Sequence, residues 1–192
     1  MKRLSIALAL VPSLALAQKP AAAPAPAPAA GGAAPAKMEP PKPAAELDNF
    51  KPILGTWNCD GKVPAGPMGP AHDSKAVNTL KMDLDNFWVM HSREVKKTKE
   101  NPMGFMGKGW AGWDASAKKL IFAGADNMGG WISVTSSGWA GDNMAFEGDA
   151  FGPMGKHKVK LTFMKGKTPN DLSVEFAMEG MPAMTETCKK GK

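Results

Sequence analysis

The sequence predicts an all-β fold, an up-and-down antiparallel β-barrel of about ten strands preceded by a disordered Ala/Pro-rich tail. Three observations predict it. Apolar residues recur with period two between turn signals, as in Val159, Leu161 and Phe163 against Lys158, Lys160 and Thr162, while helical periodicity is nearly absent. Two kinds of connection, polar tight turns and Gly/Pro-flanked methionine segments, alternate strictly along the chain. The methionine segments holding Met103, Met128, Met154 and Met181 lie 25 to 27 residues apart, the length of two short strands and a tight turn. In a meander, every such segment falls at the same end.

The chain begins with Lys2 and Arg3, an apolar run from Leu4 to Leu16, and Ala15-Leu16-Ala17 as an A-x-A cleavage site. Residues 1–17 therefore read as a secretory signal peptide and place the protein in the periplasm or outside the cell. Residues 18–45 hold twelve alanines and eight prolines with no aromatic residue. They cannot bury a core and read as a disordered tether. Residues 46–192 are long enough for one domain with one core.

Within that domain, Leu47 and Phe50 stand three apart before Pro52, predicting one helical turn that caps the tight-turn end. Strands are then predicted over 53–63, 74–84, 87–97, 105–112, 118–124, 130–136, 142–150, 158–163, 172–179 and 184–190. The strand Leu172, Val174, Phe176, Met178 alternates cleanly with Ser173, Glu175, Ala177 and Glu179. Asp85-Asn86, Asp114-Ala-Ser116, 137–142 and 165–171 form the polar turns, and the methionine loops fall at 64–72, 98–104, 125–129, 151–155 and 180–183.

Leu54-Gly55-Thr56-Trp57 heads the first strand and Glu186-Thr-Cys-Lys-Lys190 ends the last, with Asp85-Asn-Phe-Trp88, Gly112-Trp-Asp114 and Asp126-Asn-Met-Gly-Gly130 between. This pattern resembles an exported bacterial lipocalin-like (calycin-type) domain family of unknown function. In lipocalins the Gly-x-Trp tryptophan packs against an arginine from a late strand. The domain's one arginine here is Arg93, in the third strand, so that stack uses a lysine or is absent.

Cys59 and Cys188 lie about five residues from the first and last methionine loops, on strands that neighbour each other if the meander closes. In an oxidising compartment they are expected to form a disulfide.

The loop methionines Met68, Met103, Met106, Met128, Met154 and Met181 cannot all be core filler, because loops run over the surface. Flexible thioethers suit a small apolar ligand or a hydrophobic partner segment, and Trp88, Trp110 and Trp131 are expected to line the interior behind that mouth. Alternatively the barrel is filled and serves as a structural or interaction module. Thioethers also select Cu(I), though sulfurs from separate loops would have to converge, and no metal site is assigned.

A ten-strand barrel opening on Gly-x-Trp also resembles the haem-binding nitrobindin type, which would make His157 or His91 the iron ligand, but no local motif supports either and no cofactor is assigned. His72 lies near the methionine end too. Enzyme signatures are missing, and the neighbouring carboxylates Glu147 and Asp149, among lysines, read as a solvated face, so no catalysis is expected. From residue 46 onward, 19 basic residues face 17 acidic ones, which excludes a nucleic-acid stripe. No later apolar run approaches the roughly 18 residues of a membrane span.

Overall fold

The computed structural model describes residues 39–66, 69–99 and 101–191. The expected signal peptide, most of the expected tether, and Met68 lie outside the described residues.

A 3-10 helix, Ala45–Ile53, comes first. Leu47, Phe50 and Ile53 repeat every third residue, so the three-residue turn stacks all three on one face, and each is buried. The helix runs through Pro52 instead of stopping there. The carbonyl that a proline N–H cannot serve, Asn49 O, accepts the indole N–H of Trp139 at 2.7 Å.

Eleven strands follow: β1 Gly55–Val63, β2 His72–Asp83, β3 Trp88–Val95, β4 Phe105–Asp114, β5 Lys119–Asp126, β6 Trp131–Ser136, β7 Trp139–Ala140, β8 Asn143–Gly152, β9 Gly155–Lys165, β10 Asp171–Met178 and β11 Met184–Lys190. Ten of them match the expected strands. The eleventh, β7, is a two-residue pairing of Trp139 and Ala140 with Met144 and Asn143, too short to show alternation, inside what the sequence marks as a turn.

Each strand pairs antiparallel with its neighbours in the chain, β1 pairs with β11, and β6 pairs with β8 past the short β7. The sheet is thereby a closed ten-strand barrel with β7 as an appendage. Because direction reverses at every step, the connections 64–71, 96–104, 127–130, 153–154 and 179–183 all lie at one end, the rim. The helix lies at the other end, where Phe50 stacks on Phe146 with ring centroids 6.2 Å apart and Trp57 donates its indole N–H to Ile53 O at 2.8 Å.

Inward positions are filled by Trp57, Leu80, Val89, Leu120, Val134, Met144, Phe146, Val159 and Phe163, all nearly inaccessible. The register carries Cys59 opposite Cys188, and the two form a disulfide with Cα atoms 4.0 Å apart. Lys190 holds its ammonium 5.4 Å from the centroid of the Trp57 ring, a cation–π contact at the closed end. Gly148 of β8 stands opposite Val134 of β6. A Cβ there would collide with Ser133 O and lie 2.9 Å from Val134 Cα, so only glycine lets the ring close at this seam.

Candidate functional site

Alternation decides which side chains reach the rim and which reach the interior. On β3 the inward residues are Val89, His91, Arg93 and Val95, on β4 Gly109 and Ala111, and on β6 Ile132 and Val134. Trp88, Trp110 and Trp131 have the opposite parity, which overturns their expected place as interior walls. Trp110 is 44% exposed and gives its indole N–H to Asp83 at 3.0 Å, and Trp131 is 47% exposed and stacks on Phe151 with centroids 4.1 Å apart. Trp88 is half-buried on the outer face, its ring filling the space that a Cβ on Gly112 would need. A single-residue shift in parity carries a large aromatic from core to surface, and runs such as Phe87-Trp-Val-Met90, apolar at every position, hide it.

Of the expected methionine mouth, Met103, Met106 and Met154 are exposed, while Met128 and Met181 are half-buried. Met106 is not in a loop but on the outer face of β4, where its N–H binds Asn127 Oδ1 at 2.8 Å. The 127–130 loop is tied by the Asp126 carboxylate, which accepts the backbone N–H groups of Met128 at 2.8 Å and Gly130 at 3.0 Å.

An interior polar cluster lies behind β3, β2 and β11. Arg93 gives two N–H groups to the Glu186 carboxylate, at 2.7 and 2.6 Å, and a longer one to Asn78 Oδ1 at 3.4 Å. Asn78 Nδ2 lies 3.1 Å from Cys59 Sγ, and His91 Nε2 lies 3.3 Å from Asn78 Oδ1. Because guanidinium can only donate, the Asn78 oxygen is fixed toward Arg93, so His91 must donate from Nε2 and keep its lone pair on Nδ1. Burial first, and the Arg93 charge second, push the His91 pKa down to about 4, so the ring is neutral at pH 7. His157 sits toward the rim, with Nε2 3.0 Å from Met154 O, and His72 Nδ1 lies 2.9 Å from Pro70 O.

The sequence reading missed Asn78 and Glu186. The signal was present, since Met184, Glu186 and Cys188 alternate with threonine and lysine, which puts one carboxylate on the face of the disulfide. The sulfurs of Cys59 and Cys188 lie within 4.8 Å of a Glu186 oxygen, but both are spent in the disulfide and both Glu186 oxygens are held by Arg93, so the group is not a metal-ligand set in this state.

The void among Phe50, Leu80, Val89, His91, Phe122 and Phe146 measures about 10 Å³, roughly the space of one water. An enclosed chamber for a small ligand, normally about 300 Å³ or more, is not present there. Toward the rim the inward residues Phe105, Ile132, Val174, Phe176 and Met178 keep part of their surface in solvent. On the outer wall, Glu147 pairs with Lys160 and Asp149 with Lys156 and Lys158, each carboxyl held below its ordinary pKa by its lysines.

This is a closed up-and-down β-barrel, filled at its capped end, with an apolar rim. The chain belongs to the family described as "Protein of unknown function (DUF1579)", which matches residues 42–183. Its fold is similar to that of Rv2717c from M. tuberculosis, with a TM-score of 0.58 at 14% identity over 79% of this chain and 100% of that one. A redesigned β-barrel (TM-score 0.40, 12% identity, 75% of this chain and 96% of that one) and a mutant of the fluorescent protein UnaG (TM-score 0.40, 9% identity, 74% and 99%) superpose less closely. Among curated proteins none matches this chain.

Proposed function

We propose that the chain is an exported, non-catalytic binding module that engages a hydrophobic partner through its rim rather than enclosing a ligand in its barrel. One observation carries this reading: the void at the capped end of the interior is about 10 Å³, whereas Met103, Met106, Trp131 and Met154 put large apolar groups into solvent at the other end. Exposed apolar side chains gathered in one place cost solubility unless something covers them. Export is supported by the amino-terminal Lys-Arg and apolar run, and a disulfide suits an oxidising compartment.

Photo-crosslinking in cells tests the module. A photoreactive methionine analogue at position 103 or 154 yields a discrete adduct, whereas one at Leu84, as exposed as Met103 but at the capped end, does not. Equal labelling from both ends, or none from the rim, removes the reading.

A second reading, a small apolar ligand seated in the outer half of the barrel, is favoured by the partly exposed inner residues Phe105, Ile132, Phe176 and Met178. A fluorescent fatty acid that binds the parent but not Met178→Trp supports it. Equal binding, or none to either, leaves only the module.

A further inference from the structure

We propose that the partner of the rim is an anionic lipid surface, an inference that rests on the binding-module reading and names its partner. Around the barrel the strand order β3, β4, β5, β6, β8, β9 makes the 96–104 loop, the 127–130 loop and the 153–154 turn consecutive. The apolar groups on this arc are Met103, 60% exposed, Met106, 56%, Trp131, 47%, and Met154, 46%. Phe151 backs Trp131.

Lysines are interleaved with these groups. Lys96, Lys97 and Lys99 share the loop of Met103, Lys108 follows Met106 on the same outer face, and Lys156 holds its ammonium 5.3 Å from the Phe151 ring centroid. Among the described residues, Lys96, Lys97, Lys99 and Lys108 have no carboxylate within ion-pair distance, whereas Lys156 and Lys158 share Asp149. Among the described residues, the other acidic residues of the arc are Glu94 and Asp126, and the Asp126 carboxylate is turned onto backbone N–H groups of its own loop. Among the described residues, the arc therefore presents lysines without an ion-pair partner around thioether and indole groups.

A bilayer surface satisfies both halves of that pattern at once. Phosphate headgroups take the ammonium groups, and the boundary just beneath takes methionine and tryptophan side chains, tryptophan being favoured at this depth. The geometry favours a plane over a peptide. The apolar groups stand on separate loops and strand ends around the lip of a closed barrel, where one flat surface meets them together. The 360 Å³ cleft among Pro52, Lys165, Pro169 and Asp171 lies at the opposite end.

Vesicle co-sedimentation of the exported chain, residues 18–192, tests this. Vesicles with about 30% phosphatidylglycerol are expected to bind roughly tenfold more tightly than pure phosphatidylcholine, and about 0.5 M salt to remove most of the difference. The combined Lys96→Gln, Lys97→Gln, Lys99→Gln and Lys108→Gln variant loses the preference for anionic vesicles. Met103→Gln with Trp131→Gln weakens binding to both kinds. All variants begin at residue 18, after the expected cleavage site, so differences between them report the rim and not the apolar amino terminus, and unchanged thermal unfolding shows that each has folded.

Equal binding to neutral and anionic vesicles, or rim variants indistinguishable from the parent, overturns the proposal. A rim that ignores vesicles yet binds an acidic amphipathic peptide in a Met103- and Trp131-dependent way assigns a protein partner instead. In that case the lipid inference falls while the module reading stands. Failure of the rim photo-crosslinks removes both.

Discussion

Arg93 on β3 and Glu186 on β11 meet inside the barrel through two N–H to carboxylate bonds, reaching over the two strands that separate them. Glu186 is 6% exposed and Arg93 18% at the side chain, so neither can turn to bulk water if its partner is lost. Glu186→Gln should therefore cost about 3 to 5 kcal/mol in denaturant unfolding. The double variant Arg93→Met with Glu186→Met should cost clearly less than the two single changes added together, because it leaves no orphaned charge. Additive losses would show that the pair is not coupled.

Stability should fall with pH through the range in which His91 differs between states. Its folded pKa of about 4 lies below the ordinary 6.5, so between those values the unfolded chain binds more protons. The stabilisation is complete above about pH 6.5 and lost by about pH 4, on the order of 1 to 3 kcal/mol. The carboxyls held low by neighbours, among them Asp83, Asp114 and Asp171, act only at more acid pH. His91→Gln should flatten the slope between pH 6.5 and 4.5, and an unchanged slope would place its origin elsewhere.

Trp139→Phe keeps an aromatic ring near the Lys165 ammonium but removes the N–H that serves Asn49 O. The orphaned carbonyl at the helix should cost about 1 to 2 kcal/mol. Faster hydrogen exchange of the Leu47 and Leu54 amides should accompany it, as the cap loosens before the barrel does.

Replacing both Cys59 and Cys188 by serine should lower stability by about 2 to 5 kcal/mol, read from the urea midpoint. The bond joins residues 129 apart, so most of the domain lies within the loop it closes.

Met103→Gln and Met154→Gln should each change stability by less than about 0.5 kcal/mol, whereas Met144→Gln should cost several kcal/mol. Met144 is fully buried and the others are 60% and 46% exposed. The contrast separates thioethers that hold the core from those that face solvent.

The fold was largely legible because period-two alternation and turn chemistry are local. Leu172, Val174 and Phe176 announce a strand wherever they occur, and strict alternation of loop kinds carried the methionine segments to one end. The site was legible only in part. Trp88, Trp110 and Trp131 are large enough to suggest core, yet inward parity is set by register, and a strand apolar on both faces conceals it. His91 and Arg93 stood in one alternating run with Val95, but their partners Asn78 and Glu186 come from strands before and after, joined only by closure of the ring.

Pairing of Cys59 with Cys188 requires β1 beside β11, and β11 is the last strand of the chain. A polypeptide delivered from its amino terminus thus holds an open, unsealed ribbon until residues 184–190 arrive, and oxidation in register can follow only then. The covalent bond is in effect a receipt for completed threading, which makes thiol trapping during folding a direct clock for when this ring shuts.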